Sequence, residues 1–212
     1  MSSRDSILHA VRQGLGRDAL PAAARAELDA RGTPQHIRPA VDDTDLVARF
    51  IARFESRAGT TARIASLADV PAAVAEFAAR HAIAPRAVVG TRLGELVWPE
   101  DWQIEHGAAG IEVMLGVSAG HLGVAETGSV LMMSGPDSPI THNFVPESHV
   151  VVLRAADIVR HFEDGWARLR DSGQAVPRAM NFIAGPSRTG DVEQTIELGA
   201  HGPRRMHVLI VG

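Results

Sequence analysis

The chain has 212 residues, 25 acidic against 21 basic side chains, a formal charge of −4 and ten His, and it contains no cysteine, tyrosine or lysine. Those zeros exclude disulfides, thiolate nucleophiles, cysteine-ligated iron–sulfur clusters, Schiff-base lysines and a Walker lysine. The acidic balance, with every Arg stretch interleaved by acids, argues against nucleic-acid binding; no stretch approaches the roughly 18 apolar residues that span a bilayer, and a soluble cytoplasmic protein is expected.

The first forty residues read as a helical arm and linker. Ile7, Leu8, Val11 and Leu15 share one helical face, an Ala-rich helix follows Pro21 and stops near Gly32, and Thr33-Pro34 through Arg38-Pro39 is extended because residues before proline avoid the helical region. We divide the chain into this extension, residues 1–41, and a main domain, residues 42–212.

The main domain opens with Asp42-Asp43-Thr44-Asp45, which supplies negative charge to the start of a helix striped by Leu46, Val47, Phe50, Ile51 and Phe54. An alternation follows: a strand at Arg63-Ile-Ala, a helix from Pro71 to His81, a strand at Ala87-Val-Val, a Trp98/Trp102 loop and a strand at Ile111-Glu-Val-Met-Leu. Further strands are expected at Val130-Leu-Met-Met, Val150-Val-Val-Leu, Asn181-Phe-Ile and His207-Val-Leu-Ile-Val, with a helix from Ala156 to Leu169. Apolar runs of this length, separated by helices, predict an α/β domain of three layers built on a mostly parallel sheet.

Ligands of open α/β sheets collect at the carboxyl ends of strands, so Gly-rich loops after strands are the places to look. Three qualify: 116–129, 135–146 and 185–193. In the third, Ser187, Arg188 and Thr189 precede Asp191, which with Gln194 looks like a capping box; hydroxyls, a guanidinium and free N–H groups would hold a carboxylate or a phosphate. The plainer account is that Asp191 only caps, the hydroxyls satisfy turn amides and Arg188 pairs at the surface.

In the first loop, Glu126 stands between Val124-Ala125 and Thr127-Gly128-Ser129. Partial desolvation there would suit a general base or nucleophile, and an exposed carboxylate bonded to neighbouring amides is the other reading. The same loop holds Gly116-Val-Ser118-Ala-Gly120, the pattern of a nucleophile elbow, with His201 or His207 and Asp157 or Asp191 as triad partners; the would-be oxyanion loop His106–Gly110 lies too close upstream, which weakens a serine hydrolase. His142 and Asn143 sit in a loop bracketed by Pro139 and Pro146, where substrate hydrogen bonding and loop bracing are both open. His121, Glu126, His142, His149 and His201 show no metal-ligand spacing, and no metal site is expected.

Taken together, Val124-Ala-Glu-Thr-Gly-Ser129, Ser134-Gly-Pro-Asp-Ser-Pro139, Asn143-Phe-Val-Pro-Glu147, Asn181-Phe-Ile-Ala-Gly-Pro-Ser-Arg-Thr-Gly-Asp-Val-Glu193 and Leu198-Gly-Ala-His-Gly-Pro203 resemble the lactate utilization protein C family and its LUD domain. The resemblance is dense from Ile111 to Gly212, with Ser129 and Ser118 where relatives often have Thr and Val145-Pro146 where they often have Leu-Pro. It implies a NagB/RpiA/CoA-transferase-like fold and a role, beside two iron–sulfur partner proteins, in oxidising L-lactate to pyruvate.

The resemblance leaves this chain without a bound cofactor and puts the iron–sulfur clusters in the partners. A small anionic ligand would be bound by Thr127, Gly128, Ser129, His142, Asn143, Ser187, Arg188, Thr189 and Asp191. Fold analogy with CoA transferases and sugar-phosphate isomerases offers the alternative, a stand-alone enzyme using Glu126.

Overall fold

A computed structural model describes residues 2–16, 20–31, 38–42, 44–189 and 197–212. Contacts divide the chain into two compact units, residues 1–38 and 39–212. The first unit carries helices α1 (Ser3–Leu15), opened by a reciprocal Ser2/Asp5 capping box and closed by Gly16 in the left-handed conformation, and α2 (Ala22–Ala30), entered from Pro21.

The second unit begins with α3 (Leu46–Glu55), whose Asp45 carboxylate accepts the Ala48 N–H at 2.9 Å. Then come β1 (Thr60–Ile64), α4 (Val70–Arg80), β2 (Arg86–Val89), β3 (Gln103–Glu105), β4 (Leu115–Ala119), β5 (Leu122–Val124), β6 (Ser129–Met133) and β7 (Ser148–Arg154). The order closes with β8 (Ile158–Val159), α5 (Phe162–Asp171), β9 (Met180–Ile183), β10 (Arg188–Thr189), β11 (Glu197–Leu198) and β12 (Arg205–Val211). Among the described residues no helix is long and apolar enough to cross a membrane.

Six strands form one parallel sheet in the order β1-β12-β7-β4-β2-β3. Strands β7 and β12 carry continuous apolar runs, Val150–Leu153 and Val208–Val211, because both faces are covered. On one face α4 packs Val70, Val74 and Phe77 against Val150, Val152 and Leu209. On the other, Val151, Leu153, Val208 and Ile210 meet Phe50 and Phe54 of α3 together with Val130 and Met132.

The covering of this second face was not foreseen as a sheet. Strands β8-β5-β6-β9 form a smaller mixed sheet, in which β5 and β6 are an antiparallel hairpin. The runs at Val130 and Asn181 therefore belong to this sheet and not to the parallel one. Helix α5 covers its far side, with Phe162 and Phe182 edge to face at 4.8 Å.

Two element boundaries are corrected. The strand expected at Ile111 begins only at Leu115, and Ile111 itself is exposed. The helix expected from Ala156 is interrupted: Ile158 pairs with Gly123 in the small sheet, and α5 starts after His161, whose N–H is accepted by Asp164 at 3.0 Å.

Candidate functional site

Three loops meet at the amino ends of β7 and β12, where they enclose a cavity of about 270 Å³. Asn143 and Phe144 come from the loop entering β7, Gly185, Ser187 and Arg188 from the loop leaving β9, and His201, Gly202 and Pro203 from the loop entering β12. His149 and Met206, side by side on β7 and β12, form part of its wall, and among the described residues no carboxylate side chain lines it. The cavity therefore lies at the entry ends of these parallel strands, opposite to the usual location, because the loop after β9 arrives there from the second sheet.

Main-chain bonds clamp these loops. Ser187 donates its N–H to Pro203 O at 2.9 Å, Gly199 donates to Ser187 O at 3.0 Å, and the Ser187 hydroxyl accepts the His201 N–H at 3.3 Å. Arg204 and Arg205 both donate their N–H groups to Glu147 O, and the Arg205 guanidinium pairs with the Glu147 carboxylate at 2.8 Å. Gly185, at φ 120°, runs so close to the turn after α3 that a Cβ there would lie 2.8 Å from Arg57 O.

Behind the cavity runs a buried polar chain. His142 and His149 are both fully buried, and Ser118 lies between them with its Oγ 3.2 Å from His142 Nδ1 and 3.1 Å from His149 Nε2. His142 Nε2 is 2.7 Å from Gly107 O. A carbonyl only accepts, so in the neutral ring Nε2 carries the proton and Nδ1 accepts from Ser118. Ser118, having donated its proton, accepts from His149 Nε2–H, which leaves Nδ1 of His149 as a bare lone pair.

Among the described residues that nitrogen and Oδ1 of Asn143 are buried without a hydrogen-bond partner. Burial pushes the His142 pKa down against the raising effect of Gly107 O, and burial, with the nearby His142 adding to it, pushes His149 down to about 3.

Of the residues singled out from the sequence, Asn143, Ser187 and Arg188 line the cavity, and His142 supports it from behind. The N–H of Ser187, expected to be free for an anion, is taken by Pro203. Thr189 pairs with Glu197 in a short antiparallel ladder, and Asp191 lies outside the described residues.

Glu126, Thr127, Gly128 and Ser129 are elsewhere, in and beside the β5–β6 turn. Glu126 Oε2 is 3.1 Å from His161 Nδ1, at the start of α5, and the Thr127 and Ser129 hydroxyls bond each other at 2.8 Å. Gly128, at φ 70°, abuts the α3 backbone, where a Cβ would come within 2.5 Å of Phe54 N.

Glu126, His161 and Glu163 offer donor atoms within 4.8 Å of one another. The hydrogen bond to His161, and the negative charge that the first turn of α5 favours, account for this cluster.

The nucleophile-elbow reading is corrected. Ser118 lies inside β4, fully buried, and not on a strand-to-helix turn. Asp157 is paired with Arg168 at 2.7 Å, and His207 bonds Thr60 on the opposite face of the sheet. His149, weighed in the sequence only as a possible metal ligand, is the residue that reasoning missed; a lone His heading the apolar run from Val150 to Leu153 was the available signal.

Comparison with known proteins places this site in a family. Residues 110–211 match the LUD domain family. The chain carries a LUD domain. That domain runs from just before β4 to the end of β12 and contains every cavity residue.

Over 134 residues the chain is 27% identical to lactate utilization protein C of Geobacillus sp. (strain WCH70), covering 57% of this chain and 56% of that protein. It is 26% identical over 125 residues to lactate utilization protein C of Bacillus subtilis, covering 56% and 51%, and 30% identical over 96 residues to an uncharacterized protein of Neisseria meningitidis, covering 45% and 41%. The chain spans about half the length of the curated relatives it matches. A crystal structure of a DUF162 family protein from Deinococcus radiodurans shares the LUD-domain chain's fold, with a TM-score of 0.56 at 19% identity, over 82% of this chain and 100% of that one.

Proposed function

We propose that this LUD-domain chain serves in lactate utilization, as a cytoplasmic component that binds a short carboxylate and works beside two iron–sulfur proteins that carry the electrons. The observation that carries the reading is the cavity itself. It brings a guanidinium, a hydroxyl and an amide together, with no carboxylate side chain among the described residues of its wall, a surface suited to a small anion. Its volume is about 270 Å³, room for a small anion. Relatives named lactate utilization protein C support the lactate part of this reading.

The absence of Cys from this chain means that cysteine-ligated clusters belong to other chains. Glu126 is turned to His161 and is not among the cavity residues, which weighs against a transferase built on that carboxylate. Deleting the gene should abolish growth on L-lactate while leaving growth on pyruvate intact, and affinity purification from lactate-grown cells should recover iron–sulfur proteins. Unimpaired growth on L-lactate would refute the reading.

A further inference from the structure

The entry end of the parallel sheet presents an apolar patch to solvent. Among the described residues of the second unit six large apolar side chains are exposed, and three of them, Ile111 (93%), Met114 (46%) and Phe144 (48%), stand on two loops that touch. One loop enters β4 and the other enters β7. Ala109 donates its N–H to Thr141 Oγ1 at 2.9 Å, Ser148 donates its N–H to Met114 O at 2.9 Å, and Val145 packs on the buried Val113. The backbone under the patch is therefore fixed while the apolar side chains on it face water.

The rim of this patch carries opposite charges at its two ends. Strands β12, β7, β4 and β2 lie side by side in that order and run the same way, so their entry loops follow the same order along this end. On the β12 side stands Arg204, exposed and, among the described residues, not paired with a carboxylate. On the β2 side stands Glu112, also exposed. Its charge reaches Arg86, the first residue of β2, whose pKa is raised first by its hydrogen bond to Glu105 and further by Glu112.

An apolar centre inside a charged rim has the anatomy of a protein interface. A rim of one sign would suit a partner of the other sign. A rim that is basic at one end and acidic at the other is complementary to itself after half a turn. We propose that two copies of the chain meet on this face, about a two-fold axis that passes between β7 and β4 and sets Glu112 of each copy against Arg204 of the other. With strands about 4.8 Å apart, the β12 and β2 loops lie about 7 Å on either side of that axis, and the equal offsets bring the two charges together. Ile111, Met114 and Phe144 fill the centre. Phe144 also belongs to the cavity wall, so the second copy stands at the cavity's rim.

The test is sedimentation equilibrium of the full chain over about 1–300 µM, the range of weak specific contacts. The wild type should pass from monomer to dimer within it. Ile111→Glu sets like charges against each other near the axis and should raise the dissociation constant at least about tenfold. Glu112→Arg and Arg204→Glu should each raise it at least about threefold, and the two together, which re-form the pairs with their signs exchanged, should return it to within about twofold of the wild type. All three side chains are exposed, so unfolding midpoints of the monomer should be unchanged.

A monomer at every concentration, as when the patch serves a different protein, overturns the inference. A dimer indifferent to Ile111→Glu, as one formed through the exposed apolar face of α1 would be, overturns it as well. So does a double charge reversal that dimerises no better than the single ones.

Discussion

Ser118 Oγ lies 3.1 Å from Nε2 of His149 while its own proton is directed to His142, 3.2 Å away on the other side, so one buried hydroxyl sets the hydrogen-bonding sense of two imidazoles. Removing it leaves an imidazole acceptor without a donor and an N–H without an acceptor. Ser118→Ala should therefore destabilise the fold by about 2–4 kcal/mol, beyond the value of a surface change. Urea unfolding followed by Trp fluorescence checks this, and a midpoint shifted at constant slope is the expected result.

The pH dependence follows from two buried rings. His149 is pushed down to about 3 and His207 to about 4, burial being the first cause in each; for His207, Arg80 and His81 also lower it and Glu55 and Glu76 raise it. In the unfolded chain each titrates near 6.5, so below that pH the unfolded state binds a proton that the folded state refuses. The stabilisation from neutral burial is complete above about pH 6.5 and is lost as the pH falls towards the folded values, at roughly 1.4 kcal/mol per pH unit for each ring. The urea midpoint should fall clearly between about pH 7.5 and about pH 5, and a flat profile would contradict the burial of these rings as neutral species.

Gly128→Ala combines a left-handed backbone with a contact of 2.5 Å between the new Cβ and Phe54 N, and backbone cannot give way as a side-chain tip can. A loss of about 2–4 kcal/mol is expected. Gly135→Ala, with nothing within 4 Å, is the control and should change stability by less than about 0.5 kcal/mol.

The parallel sheet was legible in the sequence because β7 and β12 are apolar runs too short for helices and buried on both faces. The second sheet was not, because β6 is buried on both faces as well, between α3 and α5, and the pattern of Val130–Met133 is the same whichever sheet it joins. Asn143, Ser187 and Arg188 were found as polar residues beside Gly and Pro in loops. His149 escaped because its role depends on Ser118, 31 positions earlier and on the adjacent strand, a relation no local spacing encodes.

The same limit governs Glu126. Flanked by small and apolar residues it reads as a reactive carboxylate, yet its partner, His161, is 35 positions away across the β5–β8 pairing. Glu126→Gln should therefore leave the affinity of the cavity for L-lactate unchanged within about twofold, and its effect should appear in the stability of the α5 start.

The most direct test of the carboxylate site is the calorimetric affinity of L-lactate for the wild type and for Arg188→Ala. Arg188 is exposed, so its truncation should not disturb the fold. Loss of one charge-assisted contact to the carboxylate should weaken binding at least about tenfold with the unfolding midpoint unchanged. Equal affinity in the two proteins, or no measurable binding to the wild type, would contradict the account.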